Sequence, residues 1–327
     1  MRGFNTLLFV LFALSANAAD GTIGTVSVQK GNNVSVNGEA PLSLTLDGKD
    51  HQSCQFLSKR APDESHEFTW KEVTTTRGGE LAEILGAQLR SVDSLVVKGY
   101  VNDKDFHAMW DASLYGYLSV INLKNAVLEN NAVPDTAFFH ENEQYEGSSH
   151  EIFYYIGLRK IILPEGLEKI GEGAFYQASA LRQVNFPSTL RYIGDFAFNA
   201  TKLEMNQLVI PEGVEEINQY AFAFCRKLKA QVTLPSTIKK IGEWAFYGCP
   251  ITSINLPEGL ESLGSLSFWD CDLREVSIPS SCHEFNEGWQ FGFNRNLEKM
   301  HLPEGMTEIP DHFAVDCFRL REVNFPH

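Results

Sequence analysis

The chain is short of basic residues. It has 27 Lys and Arg against 42 Asp and Glu, which gives a formal net charge of −15 at pH 7. Proteins that bind nucleic acid use Lys and Arg to neutralise phosphates, and the same charges attract proteins to anionic membranes. The composition therefore disfavours nucleic acid and an anionic membrane surface as partners, and it is compatible with solubility alone.

The sequence also lacks the short motifs of common catalytic and metal sites. Cys-x-x-Cys, His-Glu-x-x-His, Gly-x-Ser-x-Gly and the phosphate-binding loop are all missing from it. Acidic residues are plentiful, but they recur at turn positions such as Glu165, Glu212, Glu258 and Glu304, a placement typical of solvated loops. The sequence therefore predicts no catalytic residue, no metal ligand and no cofactor.

Long apolar runs are scarce, and the clearest one lies at the amino terminus. Leu7 to Leu14 form it after Arg2, and they are too few to span a bilayer. Ala16-Asn17-Ala18 then fits the small-x-small pattern at which signal peptides are cleaved. We interpret residues 1–18 as a signal peptide, with an uncleaved membrane anchor as the alternative. We expect an exported protein, secreted or on the outer cell surface, with no transmembrane segment after cleavage.

What the sequence does contain is a repeat. A typical copy reads Leu-x-x-Ile-x-Leu-Pro-x-x-Leu-x-x-Ile-Gly-x-x-Ala-Phe, as it does from Leu158 to Phe175. One such copy cannot bury its own apolar face, but stacked copies bury each other's, so the period predicts a solenoid. The proline returns every 22 to 24 residues, at Pro164, Pro187, Pro211, Pro235, Pro257, Pro279, Pro303 and Pro326.

The pattern within one copy indicates which residues face inward. Ile161 and Leu163 are two residues apart, which is typical of a short strand with one buried face. Pro164 ends this strand because proline cannot donate to a strand ladder. Gly171 then turns the chain, and we expect Ala174 and Phe175 to lie on a short α- or 3₁₀-helical turn. The predicted solenoid has a parallel β-sheet on its concave side and such turns on the other.

The repeated stretch Leu-Pro-x-x-Leu-x-x-Ile-Gly-x-x-Ala-Phe-x-x-Cys resembles the BspA-like leucine-rich repeats of Bacteroidetes-type bacterial surface proteins. The resemblance extends upstream to Leu118-x-x-Ile121 and to Ala137-Phe138. It implies a leucine-rich-repeat solenoid over residues 80–327, with an amino-terminal helical cap near residues 80–90. Residues 19–79, where short alternating stretches meet turn signals, are expected to form a small β-rich segment.

One copy departs from the common spacing. Leu203 lies eight residues before Pro211, whereas six residues separate the equivalent leucine and proline in most other copies. Two additional residues must therefore be accommodated next to the strand of this repeat. We expect them to bulge out of the solenoid.

Six cysteines in an exported chain raise the question of disulfides. Cys225, Cys249 and Cys271 each lie three residues after the phenylalanine of their repeat. We interpret them as a column of small buried residues, because parallel neighbours place their Cβ vectors side by side. A disulfide or metal site is the alternative. The phenylalanines predicted to fill the core are Phe175, Phe198, Phe222, Phe246 and Phe268.

Two rows of side chains are candidate binding surfaces. The strand row takes one residue from each repeat, the one between the two inward-facing positions. Because side chains alternate along a strand, these residues face outward. The members of the row are Ile162, Asn185, Val209, Thr233, Asn255, Ser277, His301 and Asn324. The aromatic row lies two residues before each core phenylalanine or just after it: Phe196, Tyr220, Trp244, Leu266 and Trp289, with Tyr176, Tyr247 and Trp269. Aromatic side chains are favoured interface anchors, and stacking between repeats is the alternative.

The resemblance implies a non-catalytic adhesion protein that binds a protein partner, such as a host-matrix or cell-surface protein. The physical support is the long surface that many stacked repeats provide. The alternative is a non-catalytic subunit of a surface complex, in which the aromatic row stacks on a glycan or contacts a partner protein. An enzyme is the third hypothesis, and none of the site signatures favours it.

Overall fold

The computed structural model describes residues 67–139 and 156–325, together with the backbone of five short strands outside these ranges. The predicted signal peptide lies outside the described residues. Three of the strands form a sheet in which β1 (Gly24–Gln29) pairs antiparallel with β2 (Asn33–Gly38) and parallel with β3 (Leu44–Leu46). The other two, β4 (Gln55–Leu57) and β9 (Ile152–Tyr154), pair in parallel.

The first repeats connect their strands by helices. The strand β5 (Trp70–Thr75) leads through α1 (Leu81–Leu85) and a 3₁₀ helix (Gly86–Ser91) to β6 (Ser94–Val101), which pairs with β5 in parallel. The sheet therefore starts at Trp70, ahead of the boundary predicted at residue 80. The helical segment near residues 80–90 connects two strands of the sheet and does not precede it, as a cap would.

A second helix follows β6 and is fixed by a buried carboxylate. This helix, α2 (Asp103–Tyr115), leads to β7 (Val120–Leu128), which pairs in parallel with β6. Asp105 is fully buried, and its carboxylate accepts hydrogen bonds from the backbone N–H groups of Gly79, Leu81 and Asn102 at 2.6, 2.9 and 3.0 Å. The carboxylate thus satisfies donors at the starts of both helices.

From β8 onward the repeats are built from short strands joined by turns. A 3₁₀ helix (Glu129–Asn131) precedes β8 (Ala132–Val133). The strands before the prolines are β10 (Lys160–Ile162), β12 (Gln183–Val184), β14 (Gln207–Val209), β16 (Gln231–Thr233), β18 (Ser253–Asn255), β20 (Glu275–Ser277), β22 (Lys299–His301) and β23 (Glu322–Asn324). The strands after the prolines are β11 (Lys169–Ile170), β13 (Tyr192–Ile193), β15 (Glu216–Ile217), β17 (Lys240–Ile241), β19 (Ser262–Leu263) and β21 (Glu284–Phe285).

The strands form two parallel sheets instead of the single sheet predicted. Sheet 1 contains β5, β6, β7 and the strands before the prolines, in the sections β5-β6-β7-β10-β12, β14-β16-β18 and β20-β22-β23. Sheet 2 runs without interruption through β8 and the strands after the prolines, ending at β21. The prediction of a solenoid with a parallel sheet is confirmed. The second sheet was missed because its strands are only two residues long.

The Ala-Phe segment is a series of hydrogen-bonded turns, where the sequence predicted helical turns. The residue two positions before the core phenylalanine is left-handed, with φ of 56° at Phe196, 58° at Trp244 and 68° at Trp289. Such a residue interrupts a right-handed helix. Alternate N–H groups donate instead to the next repeat, as from Phe198 N to Ala221 O at 2.8 Å. We call this side of the solenoid the turn face.

The core contains a continuous stack of phenylalanine rings, one from each repeat. Neighbouring rings are nearly parallel, as between Phe222 and Phe246, whose centroids are 5.3 Å apart at an interplanar angle of 2°. The last ring of the stack, Phe291, meets Phe313 edge-on at 78°. The members of the stack, all fully or almost fully buried, are Phe138, Phe175, Phe198, Phe222, Phe246, Phe268 and Phe291.

The cysteine column lies next to this stack. Cys225, Cys249 and Cys271 are buried, and their thiols are within hydrogen-bonding distance of the backbone carbonyl of the phenylalanine one repeat earlier, at 3.2, 2.9 and 3.3 Å. Asn294 takes the same position in the repeat after Cys271, and its Nδ2 donates to Phe268 O at 2.7 Å. All cysteines within the described residues carry free thiols. Burial raises the pKa of Cys249 and Cys271 well above the ordinary thiol value.

The turns after the prolines alternate between Glu-Gly and a pair of hydroxyl residues. A set of four hydrogen bonds, which we call the turn clasp, joins three of the Glu-Gly turns to the turn that follows. Glu212 accepts from the backbone N–H and the hydroxyl of Ser236, at 3.1 and 3.0 Å. The Thr237 hydroxyl accepts from Gly213 N at 2.9 Å and donates to Val214 O at 2.9 Å. The same clasp links Glu165-Gly166 to Ser188-Thr189, and Glu258-Gly259 to Ser280-Ser281.

Candidate binding surface

The strand row lies on the outward face of sheet 1. Its members alternate with buried residues of the same strands, as in β14 and β16, where only the central Leu208 and Val232 are buried. Ile162 and His301 are half-buried, and the exposed members are Asn185, Val209, Thr233, Asn255, Ser277 and Asn324. With about 4.8 Å between neighbouring strands, the row from Ile162 to Asn324 extends for roughly 34 Å.

Asn185 is exposed but its amide is already engaged. Its Oδ1 accepts from Leu163 N at 2.7 Å, and its Nδ2 donates to Leu163 O at 3.0 Å. The Asn185 side chain thus adds two hydrogen bonds between the Pro164 repeat and the Pro187 repeat, beyond the end of β12. This contact gives Asn185 a structural role that the outward alternation did not predict.

The middle of the sheet 1 face carries no charged side chain. The outward positions of β14, β16 and β18 are Gln207 and Val209, Gln231 and Thr233, and Ser253 and Asn255, all exposed. These amides and hydroxyls both donate and accept hydrogen bonds. On a chain of net charge −15, this uncharged surface is a local exception.

The carboxyl-terminal end of the same face is charged. Lys299 pairs with Glu322 at 3.1 Å, and His301 Nε2 lies 3.5 Å from a carboxylate oxygen of Glu275. All four side chains are at least a third exposed, so each pair contributes little to stability. The strand row therefore has an uncharged centre next to a charged end.

The aromatic row lies on the turn face and stacks on itself. The rings of Phe196 and Tyr220 are nearly parallel, with their centroids 4.7 Å apart. The ring centroids of Tyr220 and Trp244 are 5.3 Å apart at an interplanar angle of 16°. Trp289 stacks on His312 at 3.9 Å and 2°. These rings are half-buried, and burial raises the pKa of Tyr220 to about 12. Their faces are covered by neighbouring rings, which is the stacking role that the sequence left as the alternative.

The residues just after the core phenylalanines complete this cluster. Tyr247 is buried, and its ring centroid lies 4.4 Å from that of Trp244. The ring centroid of Trp269 lies 4.6 Å from that of Phe293 and 5.5 Å from that of Trp289. The positions of Phe196, Tyr220 and Trp244 have a left-handed backbone, and their rings contact each other from one repeat to the next. The aromatic row is thus a second, smaller core on the turn face.

Two hollows at the amino-terminal end of the array were not predicted. One, of about 290 Å³, is lined by Phe106, Glu129 and Lys169 among others, and the other, of about 240 Å³, by Tyr100 and Val127. Tyr100 and Val127 are paired across β6 and β7 and both are more than half exposed. Tyr100 and Val127 are brought opposite each other by a bulge between Val96 and Lys98, which shifts the register of the two strands. The sequence pattern does not indicate this bulge.

The described residues show neither a metal site nor a membrane span. No group of three or more His, Cys, Asp or Glu side chains among them is placed to hold a metal ion. Within the same part of the chain, no helix has the length and apolar character needed to cross a bilayer.

Comparisons with known proteins agree with the repeat. The family model described as BspA type leucine rich repeat region matches in six copies, over residues 148–232 and 228–327. No curated protein matches the chain. Among solved structures, a leucine-rich repeat protein from Bacteroides ovatus is 18% identical, with a TM-score of 0.47, covering 92% of this chain and 69% of the other. A leucine rich cell surface protein from Faecalibacterium prausnitzii is 15% identical, with a TM-score of 0.41, covering 92% and 87%.

Proposed function

Because the chain belongs to the BspA-type leucine-rich repeat family, we propose that it is an exported, non-catalytic surface protein that binds a protein partner on the outward face of sheet 1. The observation that carries this proposal is the exposed strand row, which presents one side chain per repeat. Members of this family are typically cell-surface proteins, and the signal peptide predicted at residues 1–18 would direct export.

The backbone behind the strand row supports a preorganised surface. In β14, β16 and β18 every strand residue is paired in parallel with its neighbour, so the spacing of Val209, Thr233 and Asn255 is fixed by the ladder. A partner that binds there does not have to order this surface first, which lowers the entropic cost of association. The rigid spacing of side chains along the row suits a binding role.

The chemistry of the face favours a protein over a glycan. Glycan binding relies on exposed aromatic faces, and the rings of the aromatic row are covered by each other. The outward positions of β14, β16 and β18 hold amides, hydroxyls and Val209, which suit hydrogen bonds and apolar contact with a protein surface. A host-matrix or cell-surface protein is the partner class that we propose.

Paired lysine substitutions test this assignment. Thr233→Lys/Asn255→Lys places two charges on the uncharged centre of the face, while Asn286→Lys/Thr307→Lys introduces the same changes at exposed sites away from it. The full chain is first screened by surface plasmon resonance against purified extracellular-matrix proteins and against a glycan array. The dissociation constant of the protein ligand found is then measured for both variants.

We expect the face variant to bind at least about tenfold more weakly, which corresponds to 1.4 kcal/mol. The control variant should bind as the wild type does. Binding to glycans alone would refute the protein assignment. Equal weakening by both variants would show that the partner does not dock on sheet 1.

A further inference from the structure

The junction between the Pro187 repeat and the Pro211 repeat has fewer strand contacts than the junctions on either side of it. In sheet 1, β12 and β14 do not pair, although both are fully within the described residues. In sheet 2, β13 and β15 share the single pair Ile193 and Ile217, whereas the neighbouring strand pairs share two. Both sheets are therefore weakened at the same place.

The cause is the additional length before Pro211. Register is kept as far as Glu204, whose N–H donates to Arg182 O at 2.9 Å. The chain then needs two more residues than its predecessor to reach β14, so Gln207 falls out of step with Gln183. A shift of register between parallel strands removes their ladder bonds.

Side chains restore only part of this loss. In sheet 2, Asn218 Nδ2 donates to Ile193 O at 2.6 Å, next to the single strand pair. The turn clasp of Ser188 and Thr189 faces backward to the Pro164 repeat, and Arg191 Nη1 donates forward to Glu212 O at 3.0 Å. The ion pair of Arg182 and Glu204 at 2.8 Å is almost half exposed on both sides. Such an exposed pair is a weak link.

The turn face is intact across the same junction. Phe196, Phe198 and Ala200 donate their N–H groups to the next repeat, to Gln219 O, Ala221 O and Ala223 O, at 3.0, 2.8 and 2.8 Å. The rings of Phe198 and Phe222 are stacked at 5.3 Å. The two repeats are thus held along one side and loosened along the two sheets.

We propose that this junction is a hinge, with the turn face as its axis and the sheets as its opening side. Opening increases the distance between the strand-row residues Asn185 and Val209. It leaves the spacing of Val209, Thr233 and Asn255 unchanged, because their strands remain paired. The hinge would allow the outward face of sheet 1 to adapt to ligands of different curvature, and it stands whether or not the proposed protein partner is correct.

Distances between spin labels test the hinge. In a Cys54→Ser background, one label pair at Gln183→Cys and Glu275→Cys spans the junction, and a control pair at Gln207→Cys and Lys299→Cys does not. Both pairs cover four strand steps, about 19 Å, and both cross the break in sheet 1 between β18 and β20. The native thiols within the described residues are buried and should not take up label.

Electron–electron resonance should give a broader distance distribution for the spanning pair than for the control pair. Deleting Met205 and Asn206 restores the common spacing, because Leu203-Glu204-Gln207-Leu208-Val209-Ile210-Pro211 then reads Leu-x-x-Leu-x-Ile-Pro. In the deletion variant, the distance distribution of the spanning pair should become as narrow as that of the control pair.

If the distance distribution of the spanning pair is as narrow as that of the control pair in the wild-type chain, the hinge proposal is overturned. A deletion variant that folds, judged by circular dichroism, and keeps the broad distribution would also overturn it. If the deletion variant does not fold, the comparison of the two pairs in the wild-type chain decides the question by itself.

Discussion

Replacing one ring of the phenylalanine stack by alanine should cost a large share of the array's stability. Phe246 is fully buried, and it stacks on Phe222 at 5.3 Å and on Phe268 at 5.6 Å. Removing a buried phenylalanine side chain typically costs about 3–5 kcal/mol. Each stacked pair adds about 0.5–1.5 kcal/mol beyond burial. Because Phe246→Ala removes two such pairs, we expect a loss at the upper end of that range.

The assay is urea unfolding followed by far-ultraviolet circular dichroism, with the slope m compared between variants. Phe246→Leu keeps apolar contact but loses both stacked pairs, so it should lose about 1–3 kcal/mol. Phe318→Ala is the control, since this ring is 77% exposed and its removal should change stability by less than about 0.5 kcal/mol. A loss below about 1 kcal/mol for Phe246→Ala at unchanged m would refute the inward assignment of the stack.

Three further predictions concern polar groups. Asp105→Ala should cost about 3 kcal/mol, because it leaves three backbone donors without their acceptor; Asp103→Ala in the exposed first turn of α2 should cost far less in the same urea assay. Glu212→Ala removes two bonds of a turn clasp and should cost about 1–2 kcal/mol, and a similar loss in Glu215→Ala would contradict the clasp. Burial raises the pKa of Cys282 to about 12. The stability that the neutral thiol contributes is complete below about pH 8.5, its ordinary pKa, and should fall as the pH rises toward 12. A Cys282→Ala chain whose stability falls as steeply over that pH range would exclude this thiol as the cause.

The sequence was most informative where one repeat contains the whole signal. Alternation alone indicated that Val232 points inward and Thr233 outward, and the structure has them so. The regular return of Phe222 and Phe246 identified the repeat whose family and fold are confirmed. In these cases the residue's environment depends on a local period of two or on the period of the solenoid, and both are visible in one chain.

The sequence was least informative where a group bonds to another repeat. The Ala-Phe segment reads locally as a helical turn, yet its N–H groups donate across to the next repeat, and only the left-handed residues such as Phe196 allow that. The regular placement of Glu212 predicts a solvated loop residue, although its carboxylate accepts hydrogen bonds from the backbone N–H and the hydroxyl of Ser236. The edge strand β5 buries only Val73 and Thr75, so its apolar pattern was too weak to extend the array to Trp70.

The turn clasps also constrain how such an array can lengthen during evolution. A clasp needs Glu-Gly in one repeat and a hydroxyl pair in the next, as between Gly213 and Thr237. Copying a single repeat would place two turns of the same kind side by side, and one of them would have no complement. Copying two together, such as the 46 residues from Pro211 to Pro257, preserves every clasp. The unit that the clasps define is therefore the repeat pair, and we expect adding or removing two repeats together to preserve the clasps.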